Sequence, residues 1–431
     1  MIPALIVFVI TYALMLAFQA WRPWIALGAA GMFLLMGYLG LYPMNLASAL
    51  GAVDFNVLLM IGGTMGIVRL FIDSRMPERL ADLIMKRVPN VRWAAVGLSL
   101  FAGLISAFVD NVATVLMVAP VAVAVCRKLK TNPVPFIICI AVSSNLQGAA
   151  TLVGDTTAIM LGSALHMSFA DFFWYHGRPA IFFAVELGAV LSALIIFFLF
   201  RREKAPISQS GPLTEVTDYV PTVLLVGTIA LLICASFAPE SWNLPAETNG
   251  ILCCAMLAVG LMTSFARQKR PDAVTRPLKA IDFETLVLLV GLFLMIGGIT
   301  HTGVVGALAA LLAKLGGGSV FRMYTIVVWA SVLISAFIDN IPYVATMIPV
   351  IAGLAAQMGC DPTPLYFGLL SGATLGGNIT PIGASANIAA IGILRREGYE
   401  VPNSDFFRIG IPFTLSAMIP AYLYIWMVYG I

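Results

Sequence analysis

The sequence predicts an all-α polytopic membrane protein. Of its 431 residues, 60% are hydrophobic and only 10% are charged, whereas a soluble domain carries about 25% charged residues. Apolar runs of roughly 17 to 23 residues recur from the first residues to the last, which is the length that a helix needs to cross a bilayer. The runs are continuous instead of alternating, so the spans are predicted to be helices and not barrel strands.

The charge distribution points to a lipid environment and a small transported species. The formal net charge is only +3, and the Lys and Arg residues stand between apolar runs instead of forming one patch, which argues against a nucleic-acid partner. The polar interruptions are too short to fold as soluble domains. We therefore expect the lipid bilayer and a small ion or solute as partners, and no nucleic acid. A homodimer is left open by the sequence.

Ten full spans and two re-entrant hairpins are predicted. The spans lie near residues 4–20, 23–42, 55–72, 133–165, 178–200, 221–238, 246–265, 283–300, 364–394 and 410–430. The segments 93–126 and 321–356 are each long enough for two helices, but their centres hold Asp110-Asn111 and Asp339-Asn340. Because a charge at the centre of a span costs about 3 kcal/mol or more, each Asp-Asn pair fits the tip of a hairpin better.

The positive charges segregate to one side when the segments are counted in this way. With hairpin 93–126 entering from the cytoplasm and hairpin 321–356 entering from the opposite side, all of the 24 Lys and Arg except Arg178, Lys314 and Arg322 fall on the cytoplasmic side. Both termini are then outside the cytoplasm. The expected location is a bacterial inner (plasma) membrane.

An internal repeat relates the two halves of the chain. Residues 105–121 and 334–350 are identical at 9 of 17 positions at a shift of 229, and Asp54-Phe55 matches Asp282-Phe283 at a shift of 228. The predicted repeats are 1–204 and 221–431, joined by a cytoplasmic linker at 205–220. Each half holds five spans and one hairpin, and an odd number of crossings inverts the second copy, as in secondary transporters.

Each repeat also interrupts one long apolar stretch with Gly, Thr, Ser and Pro. The interruptions lie at 151–157, within 133–165, and at 380–385, within 364–394. We predict that both helices are broken there. Unwound backbone is tolerated at membrane depth only where it is buried in protein or lines a water-filled cavity, so breaks that face the hairpin tips predict a ligand site near the midplane.

The candidate ion- or substrate-binding residues are the polar side chains of the tips and breaks. They are Asp110, Asn111, Thr114, Asn145, Thr151, Asp155, Thr156, Thr157, Asp339, Asn340, Asn378, Thr380, Ser385 and Asn387. Ionisable groups at membrane depth are functional by default; the alternative is that the Asp residues cap helices and the others satisfy freed backbone groups. Asp155 has no acidic counterpart, because Ala384 occupies the matching position. Glu186, in the fifth span, is a candidate proton relay or a carboxyl bonded to the scaffold.

The tips and breaks resemble the ion transporter superfamily, which includes arsenite efflux pumps, NhaD-type sodium/proton antiporters, the melanosomal P protein and divalent anion/sodium symporters. The Ser-Ala-Phe-x-Asp-Asn tips, ATLVGDTT and GNITPIGASAN carry the resemblance, which is nearest to the P-protein and NhaD side; carboxylate symporters have Ser-Asn-Thr at the tips. The chain departs from the P-protein pattern at 154–158, with Gly-Asp-Thr-Thr-Ala in place of Gly-Asp-Pro-Pro-Asn. The resemblance implies a fixed scaffold domain and a moving transport domain that carries both hairpins.

We therefore predict a secondary active transporter of the cation-coupled, Na+/H+ antiport-like type with an elevator-type alternating-access mechanism. Asp110 and Asp339 would alternate between a proton and Na+, a hard cation that prefers oxygen ligands. The alternatives are a proton- or Na+-driven carrier of arsenite, another oxyanion or a small carboxylate, and an ion channel. Because the sequence has no nucleophile-plus-base or metal constellation, we expect no enzyme, no cofactor beyond Na+ or H+ as coupling ion, and no metal beyond Na+ at the hairpin tips.

Overall fold

The structure, a computed structural model, describes residues 2–41, 46–129, 131–207 and 213–430. These residues form 20 α-helices, three 3-10 helices and one short antiparallel ribbon, which confirms the all-α prediction. The α-helices in chain order are α1 (Ile2–Ala17), α2 (Arg22–Tyr38), α3 (Leu46–Gly51), α4 (Phe55–Asp73), α5 (Met76–Met85), α6 (Val91–Ser106), α7 (Asn111–Leu129), α8 (Val134–Gly148), α9 (Thr156–Ala164), α10 (Ile181–Leu199), α11 (Val220–Ser236), α12 (Thr248–Gln268), α13 (Asp272–Lys279), α14 (Phe283–His301), α15 (Val304–Gly316), α16 (Val320–Ser335), α17 (Asn340–Met358), α18 (Thr363–Gly376), α19 (Ser385–Arg396) and α20 (Asn403–Tyr429). The ribbon pairs β1 (Trp174–Tyr175) with β2 (Arg178–Pro179).

Six helices in the described ranges are long and apolar enough to cross a membrane unaided: α4, α10, α12, α14, α17 and α20. The pair α15 and α16, bent by 115° at its junction, would make a seventh. Three of the ten predicted spans correspond to α1, α2 and α11, which have only 16 or 17 residues. Two more are each divided into two short helices. The smaller number therefore reflects helix length and interruption. Two features differ from the prediction: α17, a limb of the predicted hairpin 321–356, is itself long enough to cross a membrane, and the apolar helix α15 lies between the predicted segments 283–300 and 321–356.

Matching helices of the two halves have matching lengths and starts. Helices α4 and α14 have 19 residues each, as do α7 and α17, and α6 and α16 have 16 each. The repeated Asp-Phe pairs are helix starts, because Asp54 accepts from the Val57 amide at 3.1 Å and Asp282 accepts from the Thr285 amide at 3.0 Å. Such capping satisfies an amide that the helix cannot pair internally.

The predicted breaks and hairpin limbs occupy equivalent places in the two halves. Helix α8 ends at Gly148 and α9 begins at Thr156, while α18 ends at Gly376 and α19 begins at Ser385. Helices α6 and α7 both pack on α8, and α16 and α17 both pack on α18. Each tip, at 107–110 and 336–339, therefore lies beside the broken stretch that follows it in the chain.

The helices form two groups that enclose the site between them. In the paired group, α2 packs on α14 and α4 packs on α12, so that each pair joins the two halves. The hairpin group comprises α6 to α10 and α16 to α20, with α10 packed on α20. The groups meet where α4 contacts α9 and where α14 contacts α17.

Part of the predicted linker docks on the first half. The backbone amide and the hydroxyl of Thr214 both donate to Asp82 of α5, at 2.9 and 2.6 Å, and Arg79 donates to the Thr214 carbonyl at 3.2 Å. Residues 208–212 of that linker and residue 42 of the second predicted span lie outside the described residues. The repeat boundaries 1–204 and 221–431 stay predictions.

The breaks have no room for a side chain at their repeated glycines. A Cβ atom on Gly154 would lie 3.0 Å from the Ser106 carbonyl oxygen, and one on Gly383 would lie 2.9 Å from the Ala336 carbonyl oxygen. Both contacts are to hairpin backbone, which cannot move away as a flexible side chain would. The glycines therefore allow the tip and the break to approach closely.

Replacing Gly154 or Gly383 with Ala should lower the thermal unfolding temperature and impair transport. Overpacking of a closely packed site costs about 1–3 kcal/mol. The control is Gly392→Ala on α19, where an added Cβ meets no atom within 4 Å and alanine favours the helix. The unfolding temperature of the detergent-purified protein should fall with the first two substitutions and not with the third. Equal unfolding temperatures for all three variants would contradict this account of the breaks.

Candidate functional site

Each break is fastened to the neighbouring hairpin tip by a threonine. The hydroxyl of Thr151 donates to the Ala107 carbonyl oxygen, and the hydroxyl of Thr380 donates to the Ala336 carbonyl oxygen. These carbonyl groups belong to the residues that directly follow α6 and α16, at helix ends that leave acceptors unpaired. Two of the predicted ligand residues thus satisfy backbone groups.

Four buried asparagines join the first tip to the second break. Asn145 of α8 accepts from the Asn111 amide at 3.1 Å and donates to the side-chain oxygens of Asn378 and Asn387, at 2.8 and 3.0 Å. All four side chains are buried. Asn145 therefore connects elements from the two halves through one side chain.

A cavity of about 230 Å³ lies between the paired group and the hairpin group. Its hairpin-group wall includes six of the predicted residues: Asp110, Asn111, Asp155, Thr156, Asn340 and Ser385. The opposite wall comes from α4, which contributes Thr64 and Arg69, and from the start of α14, which contributes Asp282 and Thr285. The structure thus brings both tips and both breaks to one polar cavity.

Asp110 faces this cavity and caps α7, which is the second limb of the first hairpin. Its Oδ2 atom accepts from the backbone amides of Val112 and Ala113, at 3.0 and 3.2 Å. Among the described residues it forms no ion pair. Both the capping role and the ion-binding role considered from the sequence are therefore compatible with its geometry, because its Oδ1 atom is left for another partner.

Asp155 is buried in the first break and is linked to the tip of the second hairpin. Its Oδ1 atom accepts from the backbone amide of Thr156 at 2.8 Å. Its Oδ2 atom accepts from the Thr157 hydroxyl at 2.9 Å and from the side-chain amide of Asn340 at 3.2 Å. Asp110 lines the same cavity as Asp155. Two neighbouring carboxylates attract a cation or share a proton.

Asp339, the repeat counterpart of Asp110, is already neutralised. Its Oδ2 atom lies 3.1 Å from Nη1 of Arg22 and accepts from the Ser385 hydroxyl at 3.2 Å, while its Oδ1 atom accepts from the Ile341 amide. The topology predicted from the sequence places Arg22 on the cytoplasmic side of the membrane. Its side chain, at the start of α2, is only 13% exposed and pairs with the tip of the second hairpin.

The remaining predicted residues do not line the cavity. Thr114 is buried with its hydroxyl 3.5 Å from the Val109 carbonyl. Glu186 lies on α10, which packs on α8. The others that stay behind the cavity wall are Asn145, Thr151, Thr157, Asp339, Asn378, Thr380 and Asn387.

The cavity carries more acidic than available basic groups. Within the part of the chain that the structure describes, Arg69 is the one basic residue of its wall, and its guanidinium pairs with Asp73 of the same helix at 3.0 Å. Asp110, Asp155 and Asp282 all contribute carboxylates. The arrangement favours a hard cation coordinated by oxygen atoms.

Sequence reasoning missed the paired-group wall. Thr64 and Arg69 stand in an ordinary apolar span, and the pairing of Arg22 with Asp339 joins positions 317 residues apart. A signal for Arg22 was present, because it stands between two apolar runs with no acidic neighbour. A signal for Asp282 was also present, because Asp282-Phe283 repeats Asp54-Phe55 of the first half.

Comparison with known proteins agrees with a transporter fold. Residues 6–372 match the CitMHS family, described as "Citrate transporter". An uncharacterized transporter of Mycobacterium tuberculosis strain H37Rv is 32% identical over 432 residues, covering 99% of this chain and 98% of the relative.

Two further matches concern the predicted resemblance and the fold. The human P protein is 27% identical over 433 residues, covering 84% of this chain and 52% of the P protein, so the resemblance to that superfamily is confirmed. The YdaH transporter of Alcanivorax borkumensis, solved by crystallography, superposes with a TM-score of 0.61 at 14% identity, covering 96% of this chain and 98% of that structure. This second likeness supports the fold.

Replacing Asn145 with Leu should destabilise the protein strongly. Leucine has a similar size but leaves the side chains of Asn111, Asn378 and Asn387 short of partners, and each buried polar group left unpaired costs about 1–3 kcal/mol. The control is Thr228→Val, since that hydroxyl bonds only the Leu224 carbonyl of its own helix. Thermal unfolding of purified variants checks this; an Asn145 variant as stable as the control would show that the asparagine network contributes little.

Proposed function

Because the chain belongs to the CitMHS citrate transporter family, we propose that it is a cation-coupled secondary active transporter that works by Na+/H+ exchange. The membrane transporter assignment follows from the family and from the polytopic all-α fold. Asp110 and Asp155 bind the coupling ion in this proposal, and the surrounding hydroxyl and amide groups complete its coordination.

The observation that carries the proposal is the placement of Asp110 and Asp155 on one cavity, where neither forms an ion pair with a basic side chain of the described residues. A carboxylate removed from water is expensive unless it is paired or protonated. Two such groups in one cavity need a cation or a proton to offset their charge. A site that accepts either one can exchange them, which is the elementary requirement of an antiporter.

The position of the cavity supports an elevator-type mechanism. The cavity separates the paired group from the hairpin group, and both tips and both breaks belong to the hairpin group. Sliding of the hairpin group along the paired group would carry the whole ion site across the membrane, as alternating access at a repeat interface requires. With the predicted topology, the loop before Asp282 is cytoplasmic, so the cavity wall at Asp282 lies toward the cytoplasm.

A carrier of a small carboxylate is the second candidate. The family description favours it, and Arg69 on the cavity wall offers a guanidinium that matches carboxylate geometry. Because the other wall is acidic, a carboxylate would enter together with a cation. Arsenite or another oxyanion has no further observation in its favour, and the family description favours a carrier over a channel. We also propose that the chain has no enzymatic activity and lies in a bacterial inner membrane.

Asp110→Asn and Asp155→Asn should abolish Na+-driven proton movement in proteoliposomes containing a pH-sensitive dye. Asparagine keeps the size of the side chain but removes the exchangeable charge. The control is Asp361→Asn, because Asp361 accepts from the Thr363 amide at 2.9 Å ahead of α18 and is a helix-capping aspartate outside the cavity. If Asp110→Asn and Asp361→Asn exchange Na+ and H+ equally well, Asp110 is only a helix cap.

Acidification should weaken Na+ binding to the wild-type protein. Protonated carboxyl groups lose their attraction for a cation, so the apparent Kd for Na+ should rise as the pH falls. Substituting either cavity aspartate should flatten this dependence. Testing citrate and arsenite in the same vesicles separates the candidates. The carboxylate carrier is favoured if citrate uptake requires Na+ or H+ and if no Na+/H+ exchange occurs when citrate is absent.

A further inference from the structure

Arg22 and Asp339 form an ion pair that joins the paired group to the tip of the second hairpin. The side chains are 13% and 11% exposed. The Arg22 Nε atom also donates to the Met15 carbonyl oxygen at 3.2 Å, so the guanidinium is held from α1 while its Nη1 atom reaches Asp339. The arginine is therefore positioned by α1 and α2, and not by the hairpin that it neutralises.

The equivalent place in the other half has no cation. At the repeat shift of 228, the position that matches Arg22 is Gly250 of α12, whose amide donates to the Asn56 side chain at 2.9 Å. The same shift relates the contacts of the two helix pairs, since Gly291 faces Ala26 and Gly63 faces Cys253 and Cys254. Asp110 thus stays open to the cavity, while its counterpart Asp339 is occupied by a side chain.

We infer that Arg22 is a tethered cation that occupies the Asp339 carboxylate and prevents the second tip from binding a transported cation in this conformation. The inference rests on the proposed function, because it assigns the coupling ion to the first tip and the first break. The guanidinium is permanently charged. Together with the Ser385 hydroxyl it occupies the Oδ2 atom of Asp339, which a bound cation would need as a ligand.

The pair also sets a requirement for movement. When the hairpin group slides along the paired group, Asp339 leaves Arg22, and an unpaired buried carboxylate is strongly unfavourable. Asp339 must then take up a cation or a proton in place of Arg22. Arg22 is therefore a positioning residue that decides in which conformation the second carboxylate is available.

The test counts bound Na+ in purified protein at alkaline pH with radioactive sodium. Arg22→Gln should bind one more Na+ per chain than wild type, and Arg22→Gln/Asp339→Asn should return to the wild-type number. The control is Arg267→Gln, which removes a pair with Asp218 on the linker and should leave the number unchanged. An Arg22→Gln variant with the wild-type number overturns the inference.

The double variant keeps the test decisive if Arg22→Gln alone does not fold, because its two neutral side chains leave no unpaired charge. Retention of the wild-type Na+ number by the double variant supports the inference, and a lower number overturns it by showing that Asp339 contributes to wild-type binding. If wild type binds no Na+, the proposed function fails separately. The inference about Arg22 would then stand only if Arg22→Gln gains a site that Asp339→Asn removes.

Discussion

The structure depends on the need to pair backbone polar groups at membrane depth. Two helices stop in the middle of apolar stretches, and water cannot satisfy their ends there. The breaks also supply donors to the neighbouring hairpins, because the hydroxyls of Thr151 and Thr380 donate to the carbonyl oxygens of Ala107 and Ala336 at the tips. Because each tip is bonded to its break, the polar side chains of both lie in one region, beside the cavity.

The two halves share this backbone arrangement but differ in charge. The first break carries Asp155, whereas the second break has Ala384 at the matching position. Arg22 neutralises Asp339 at the second tip, whereas Asp110 at the first tip faces the cavity. A duplicated framework thus carries one open acidic cluster instead of two. This asymmetry is what allows a repeated fold to assign different tasks to Asp110 and Asp339.

Local pattern was sufficient to predict most of the long apolar helices and both breaks, and it named six residues of the hairpin-group wall, but it missed helix α15. The Asp-Asn tips and the Gly-rich interruptions are departures from apolar sequence, and burial makes such departures costly enough to be informative. The partners of these residues could not be predicted. Asn145 with Asn387 and Arg22 with Asp339 join positions 242 and 317 residues apart, and nothing in the local sequence encodes such a separation.

The asparagine network has a consequence for biosynthesis. Asn145 enters the membrane with the first half of the chain, whereas its partner Asn387 is synthesised 242 residues later. During that interval the Asn145 amide lacks the acceptors that it has in the finished protein, and an apolar environment penalises such a group. The hydrogen bonds of Asn145 in α8 are therefore completed only after Asn378 and Asn387 have been synthesised.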